Sequence, residues 1–203
     1  YQTNGNINSE IIMVKKDAVF DGTNVTTKKM IVNGTLKHTN NEFISEEVLV
    51  KGNFIKSGEN FSTEKLHVYG NFNHNNNNMT VSDELYIKGN ATIDANLIAN
   101  KIYIEGTLTQ TNGTITANEI VILGDATFLN ANVSGDIIIH GEFTLGNGTV
   151  NADRLIVKET GTVTGGKIES EVYMFEDLYF SGGELNKIIY VGRDFIWGNN
   201  GSI

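Results

Sequence analysis

The sequence predicts an all-β chain wound as a single β-solenoid of about eleven coils over residues 1–203, with no capping helix. Three observations carry this prediction. Apolar residues stand two apart in short runs, which is strand spacing, because successive side chains of a strand point to opposite faces. The same pattern returns every 17 to 19 residues along the chain, too short for paired-helix repeats and fitting one turn of a stacked β-coil. No segment shows a helical period, and there is no Pro, which would delete a ladder hydrogen bond in a stacked strand.

The clearest copy is residues 115–128, ITANEIVILGDATF. Anchored on Gly124, the coils place equivalent residues at Lys16, Gly34, Gly52, Gly70, Gly89, Gly106, Gly124, Gly141, Glu159, Glu176 and Arg193. Four residues before each anchor stand Ile12, Met30, Val48, Leu66, Leu85, Ile102, Ile120, Ile137, Leu155, Val172 and Ile189. The positions two before run from Val14 to Val191 and those two after from Ala18 to Phe195, all small or apolar. A fourth apolar column, Ile7 to Leu185, lies eight or nine residues before the anchor, and the mostly small residues two further on, such as Ser45, Thr63 and Ala117, are expected to line a tight corner. Like therefore stacks on like at about 4.8 Å, and the core is the inside of the stack. Seven consecutive Gly anchors mark a second corner that needs either positive φ or close backbone approach. Pairs such as Asn112-Gly113 and Asn147-Gly148 read as turns, and the Asn run at 75–78 as a longer bend that absorbs the one 19-residue interval.

Composition narrows the function. A formal charge of −9 argues against nucleic acid and acidic membranes as partners. No run approaches the eighteen apolar residues of a membrane-spanning helix, and the lack of Cys excludes disulfides and thiolate metal sites. Tyr1 in place of Met is expected of a processed protein or a fragment. No cofactor is implied. The four His, His38, His67, His74 and His140, read as solvated singly; Lys56 separates His38 from His74 in their shared column. Glu176 and Asp177, a carboxylate pair adjacent in the sequence, read as strand neighbours that face opposite sides. With no insertion on which to build a site, the chain is not expected to be an enzyme.

The outward columns hold the interaction signals. Five residues before the anchor, Lys29, Glu47, Lys65, Glu84, Lys101, Glu119, Asp136, Arg154 and Glu171 nearly alternate in sign, a ladder that fixes register. Thr92, Thr109, Thr127, Thr144 and Thr162 form a strand-favouring Thr ladder. Three before the anchor runs an apolar stripe whose core is Tyr86, Tyr103, Val121, Ile138, Ile156, Tyr173 and Tyr190; a row of that length is expected to be covered by another subunit. At the two ends, Ile7, Ile11, Ile12 and Val14, and Val191, Phe195, Trp197 and Ile203, leave open apolar faces. Asn4-Gly5-Asn6-Ile7 and Asn200-Gly201-Ser202-Ile203 share one phase of the coil, so a second copy is expected to continue the stack. Residues 1–100 carry 9 basic and 11 acidic side chains against 6 and 13 for residues 101–203, which permits head-to-tail polarity.

The stretch ITANEIVILGDATFLNANVSGDIIIHGEF, residues 115–143, resembles bactofilins, bacterial β-helices without caps, with the similarity extending over residues 80–175. The resemblance implies a β-helix that polymerises end to end through its core. The outward stripe and the Asn content differ from that family and point to an exported bacterial fibre subunit. The expected function is thus a structural subunit, its partner itself, stacking head to tail and packing laterally into an extracellular or cell-surface filament, tube or sheet. The alternatives are a glycan-recognising segment of an adhesin or phage fibre, and a cytoplasmic bactofilin-type filament.

Overall fold

The computed structural model describes residues 2–202, with side chains described for 4–198. It is a β-solenoid of about eleven turns, and no helix occurs among the described residues. Among the described residues, twenty strands join in one sheet, and paired strands run parallel. The register follows the columns read from the sequence. Ile12 pairs with Met30, Met30 with Val48, Val48 with Leu66, and the row continues through Ile102, Ile120 and Val172 to Ile189. From Met30 to Val172 every member is buried, while Ile12 and Ile189 are only partly so because each lacks one neighbouring coil. Burying one such side chain contributes about 1.5–3 kcal/mol, so the stack is held by many equal increments and is weakest at its ends.

The expected first corner is present. The Ser45 hydroxyl donates to the carbonyls of Glu47 and Lys28, at 3.1 and 3.3 Å, and Thr63 repeats the arrangement on Lys65 and Glu46. The Gly anchors are explained by close approach. None of them has positive φ, but a Cβ on Gly52 would lie 2.6 Å from the Gly34 carbonyl carbon, and one on Gly89 2.5 Å from the Gly70 oxygen. Apart from Gly135 (φ 126) on the first corner, positive φ falls at a third corner, as at Gly113 (φ 81) and Gly148 (φ 113), where the chain bends inside continuous strands instead of forming separate turns.

The extra residue of the 19-residue interval is not in the Asn run. Lys56 pairs with His74 and Phe61 with Met79 without a break; the register shifts only between Thr63 and Lys65, whose partners are Val81 and Glu84. The bulge therefore sits at Ser82 and Asp83, on the first corner. The Asn run forms an ordinary bend in which Asn77, at φ 58, donates to the Gly58 carbonyl.

Candidate functional site

The sequence-predicted axial residues fall on the two opposite edges of the stack. On the first coil, Ile7, Ile12 and Val14 pack partly against the core while Ile11 and Met13 are 59% and 72% exposed. On the last, Ile189 and Val191 pack partly against the core, and Phe195 and Trp197 stand exposed beside Phe180. Lys187, Ile189, Val191 and Phe195 line a concavity of about 360 Å³. Ile203 lies outside the described residues.

The charged column ends in Ile at both edges. Ile11 pairs with Lys29 at one end, and Ile188, 56% exposed, directly precedes the Ile189 that pairs with Val172 at the other. Ile188 escapes a reading of the sequence that follows this column only through its charged members. Within the column the ion pairs close incompletely: Lys29 meets Glu47 at 2.8 Å and Arg154 meets Asp136 at 2.7 Å, but Lys65 turns aside to Asp83 and Glu84 is taken by His67 at 2.7 Å. The Thr ladder is in register, Thr92 to Thr109 to Thr127 to Thr144 to Thr162.

Polarity is built into a neighbouring column. The Asp17 carboxylate accepts from the backbone N–H of Thr35 at 2.7 Å, Asn53 from Asn71 at 2.8 Å, Asn71 from Asn90 at 3.0 Å, and Asp177 from Asp194 at 3.1 Å. Each of these side chains accepts from the following coil, not the preceding one. In the last coil Asp194 has no described coil above it.

The shared phase of the two terminal segments has a cost that the sequence did not reveal. Gln2 pairs with Phe20, and that column continues from coil to coil up to Trp197; Asn6 pairs with Asn24, and its column reaches Ser202. A second copy set with Ile12 directly over Ile189 would bring its residues 2–6 into the space held by 197–202. The two segments coincide instead of abutting, so continuation of the stack requires one of them to leave its place.

The lateral stripe faces outward and is continuous. Tyr86 and Tyr103 stack at 5.8 Å, Tyr173 and Tyr190 at 4.9 Å, and Tyr103, Val121, Ile138 and Ile156 pair in sequence between them. Most of the row is half-buried, since each side chain covers the next; Tyr190, at the edge, is 52% exposed. The more exposed apolar groups are Tyr69, Leu123 and Phe175, two residues further along and interspersed with Lys and polar residues, which hid them from column reading. Lys158 lies over the Phe175 ring at 4.0 Å. The Tyr86 hydroxyl donates to Glu105 at 2.5 Å, and that bond to a carboxylate holds its pKa up at about 12.

Two of the four His are not solvated. His38, Lys56 and His74 occupy the column four residues after the anchor, elsewhere filled by Phe20, Ile93, Gln110, Phe128, Leu145, Val163, Phe180 and, at the edge, Trp197, and all three are fully buried. Lys56 Nζ donates to the carbonyls of Gly58 and Asn76, at 2.9 and 2.6 Å. His74 Nε2 is 2.9 Å from the Asn96 carbonyl, while His74 Nδ1 has no hydrogen-bond partner and neither His38 nitrogen makes a well-formed bond, although the Asn41 backbone favours its protonated form. Burial, and then the Lys56 charge, hold the His38 pKa down to about 4. Burial holds His74 to about 4 as well and Lys56 to about 8. Extending the alternation of Ala18 to Phe195 by one further step would have shown this column. His67 is half-buried against Glu84, and His140 is exposed.

No group of three or more His, Asp or Glu side chains converges among the described residues, and no helix there is long and apolar enough to cross a membrane. No family model, curated protein or solved structure matches the chain.

Proposed function

We propose that this chain is a structural subunit that stacks head to tail through its end coils and associates laterally through the row from Tyr86 to Tyr190, forming a filament, tube or sheet. The observation that carries the reading is the charged column: its interior positions bear Lys, Arg, Asp or Glu, and its two edge positions bear Ile11 and Ile188, both more than half exposed. An edge meant for solvent would keep the charge, since charged edges discourage strand pairing. The one-way acceptor ladder ending at Asp194 supports head-to-tail polarity, and a heterologous contact that does not close produces an open fibre. At each joint one of the overlapping segments, 2–6 or 197–202, moves aside. The resemblance of residues 115–143 to the bactofilins agrees with end-to-end polymerisation, and the outward aromatic stripe favours an exported fibre at the bacterial surface.

Negative-stain microscopy of the full chain beside an Ile11→Lys/Ile188→Lys variant tests this. Lys occupies the same column at Lys29, Lys65 and Lys101, so the fold accommodates it. Filaments from the parent chain and dispersed rods from the variant are expected. Dispersed rods from both would overturn the reading.

A groove of about 460 Å³ along the first corner of the N-terminal half, bordered by Thr26, Lys28, Glu46, Ser62 and Glu64, supports a second reading as a glycan-binding segment. A glycan array without hits would remove it.

A further inference from the structure

We propose that the buried column His38, Lys56 and His74 is an acid-triggered release device: when the two imidazoles take up protons, the coils that hold them open, while the coils from residue 126 onward remain stacked.

The geometry leaves a protonated imidazole no counter-ion, only a backbone group each, Asn41 for His38 and Asn96 for His74. Among the described residues, the buried polar and charged ones are Thr23, Thr27, His38, Ser45, Lys56, Thr63, His74, Gln110 and Ser170, with no carboxylate among them. His38 is enclosed by the ring edges of Phe43 and Phe61, at centroid distances of 5.8 and 5.9 Å. On the strand before it the column residue is Phe20, and on the strand after it Lys56, the one charged group among the described residues that faces either imidazole from a neighbouring strand. His74 lies between Lys56 and Ile93, with the Asn96 carbonyl as its one partner. The nearby corner carboxylates face away: Asp21 is bonded to Thr39 and Asn40, Asp94 to Thr111 and Asn112, and Glu59 is exposed. Two imidazolium ions would thus join an ammonium in one apolar column, each without a counter-ion, which favours opening to water.

The sign follows from the folded-state pKa values near 4 against 6.5 for a free imidazole. The contribution of the two imidazoles is fully present above 6.5 and is lost as the pH drops toward 4, by on the order of a hundredfold in the opening equilibrium for each His. The C-terminal coils carry Phe128, Leu145, Val163 and Phe180 in the same column, and none of these takes a proton.

Hydrogen exchange of the full chain, followed by mass spectrometry between pH 7 and 4 and corrected for the intrinsic rate, tests the inference. Peptides covering residues 36–79 are expected to lose at least a hundredfold more protection than those covering 126–185. His38→Phe/His74→Phe, using the residue found at positions 20, 128 and 180, abolishes the difference. His74→Ile alone, which repeats the Ile93 of the next coil, removes about half of it on a logarithmic scale. Equal loss in both halves, or acid lability undiminished in either variant, would overturn the proposal. The outcome is independent of whether the chain forms filaments.

Discussion

Phe43 and Phe61, one coil apart, stack with ring centroids 4.4 Å from each other and planes 9° from parallel. The separation is close to the strand spacing itself, so a parallel in-register stack brings identical rings into face contact without any choice of rotamer on the partner's side. Phe61 also meets Phe54 edge-on at 5.1 Å and His38 edge-on at 5.9 Å. Phe61→Ala therefore opens a cavity that rigid neighbouring coils cannot fill, and we expect a loss of about 3–5 kcal/mol. Chemical denaturation at pH 7 measures it. A loss below about 1 kcal/mol would mean that the coils collapse onto the gap.

The Gly anchors give a sharper contrast. At Gly52 a Cβ would meet backbone of the coil below at 2.6 Å, and backbone cannot rotate away. Gly52→Ala should cost about 1–3 kcal/mol through overpacking. At Gly146 the nearest atoms are 3.4–3.5 Å away on Leu129, an ordinary contact, and φ is not positive. Gly146→Ala should be neutral or stabilising by about 0.4–1 kcal/mol, because it restricts the unfolded chain. Melting both variants beside the parent checks the pair; equal effects would refute close approach as the reason for the anchors.

Lys56 predicts an alkaline limb to the stability profile. Burial lowers its folded pKa to about 8 from 10.5, so the folded state releases its proton first as the pH rises. Below 8 both states are protonated and the buried ammonium is a constant penalty; from 8 to 10.5 the unfolded chain binds more protons, and stability climbs. Lys56→Met removes the titrating group. The parent should gain stability between about pH 8 and 10 relative to the variant, read as a shift in denaturant midpoint, and parallel profiles would show that the amine is not desolvated.

The coincidence of residues 2–6 with 197–202 in phase makes one of them an obstacle to assembly. Deleting residues 1–6 of the chain leaves Ile11, Ile12, Met13 and Val14 in place while vacating the contested space. Filament growth followed by light scattering should then be faster than for the full chain. Slower growth would mean that the first segment itself forms the joint.

The parts of the fold that were legible in the sequence are those in which each coil repeats its neighbour. Columns such as Ile12 to Ile189 announce themselves because a parallel stack sets like on like, and the small corner residues and the Thr ladder follow the same logic. What escaped was local to a few coils. His38, Lys56 and His74 interrupt a mostly apolar column in consecutive coils, as Gln110 does further on, and polar residues in such a place suggest solvent until the column is traced through Phe20 and Phe128. The bulge at Ser82 and Asp83 has no turn residues to mark it, whereas the Asn run at 75–78 looks like a bend and adds nothing to the register. At the edges, Ile11 and Ile188 hold the same charged column and each precedes another Ile, and Ile188 is passed over when the column is followed through its charged members alone.

The lateral row separates the two levels of assembly. Tyr103 and Ile138 lie half-buried in the middle of the row, far from either edge strand, so replacing them leaves the end coils untouched. Each makes its outward contacts with the side chains above and below, Tyr86 and Val121 around Tyr103, and Val121 and Ile156 around Ile138. Tyr103→Lys with Ile138→Lys places two ammonium groups on this face and exposes their neighbours, at a cost within the ordinary range of roughly 0.5–3 kcal/mol for a single substitution. If the row packs against a second filament, a charge there without a partner is costly, and bundles or sheets should give way to single filaments of unchanged length distribution in electron micrographs. Loss of the filaments themselves would show that this row, and not the end coils, carries the primary contact. Bundles that persist would move the lateral contact to the more exposed Tyr69, Leu123 and Phe175.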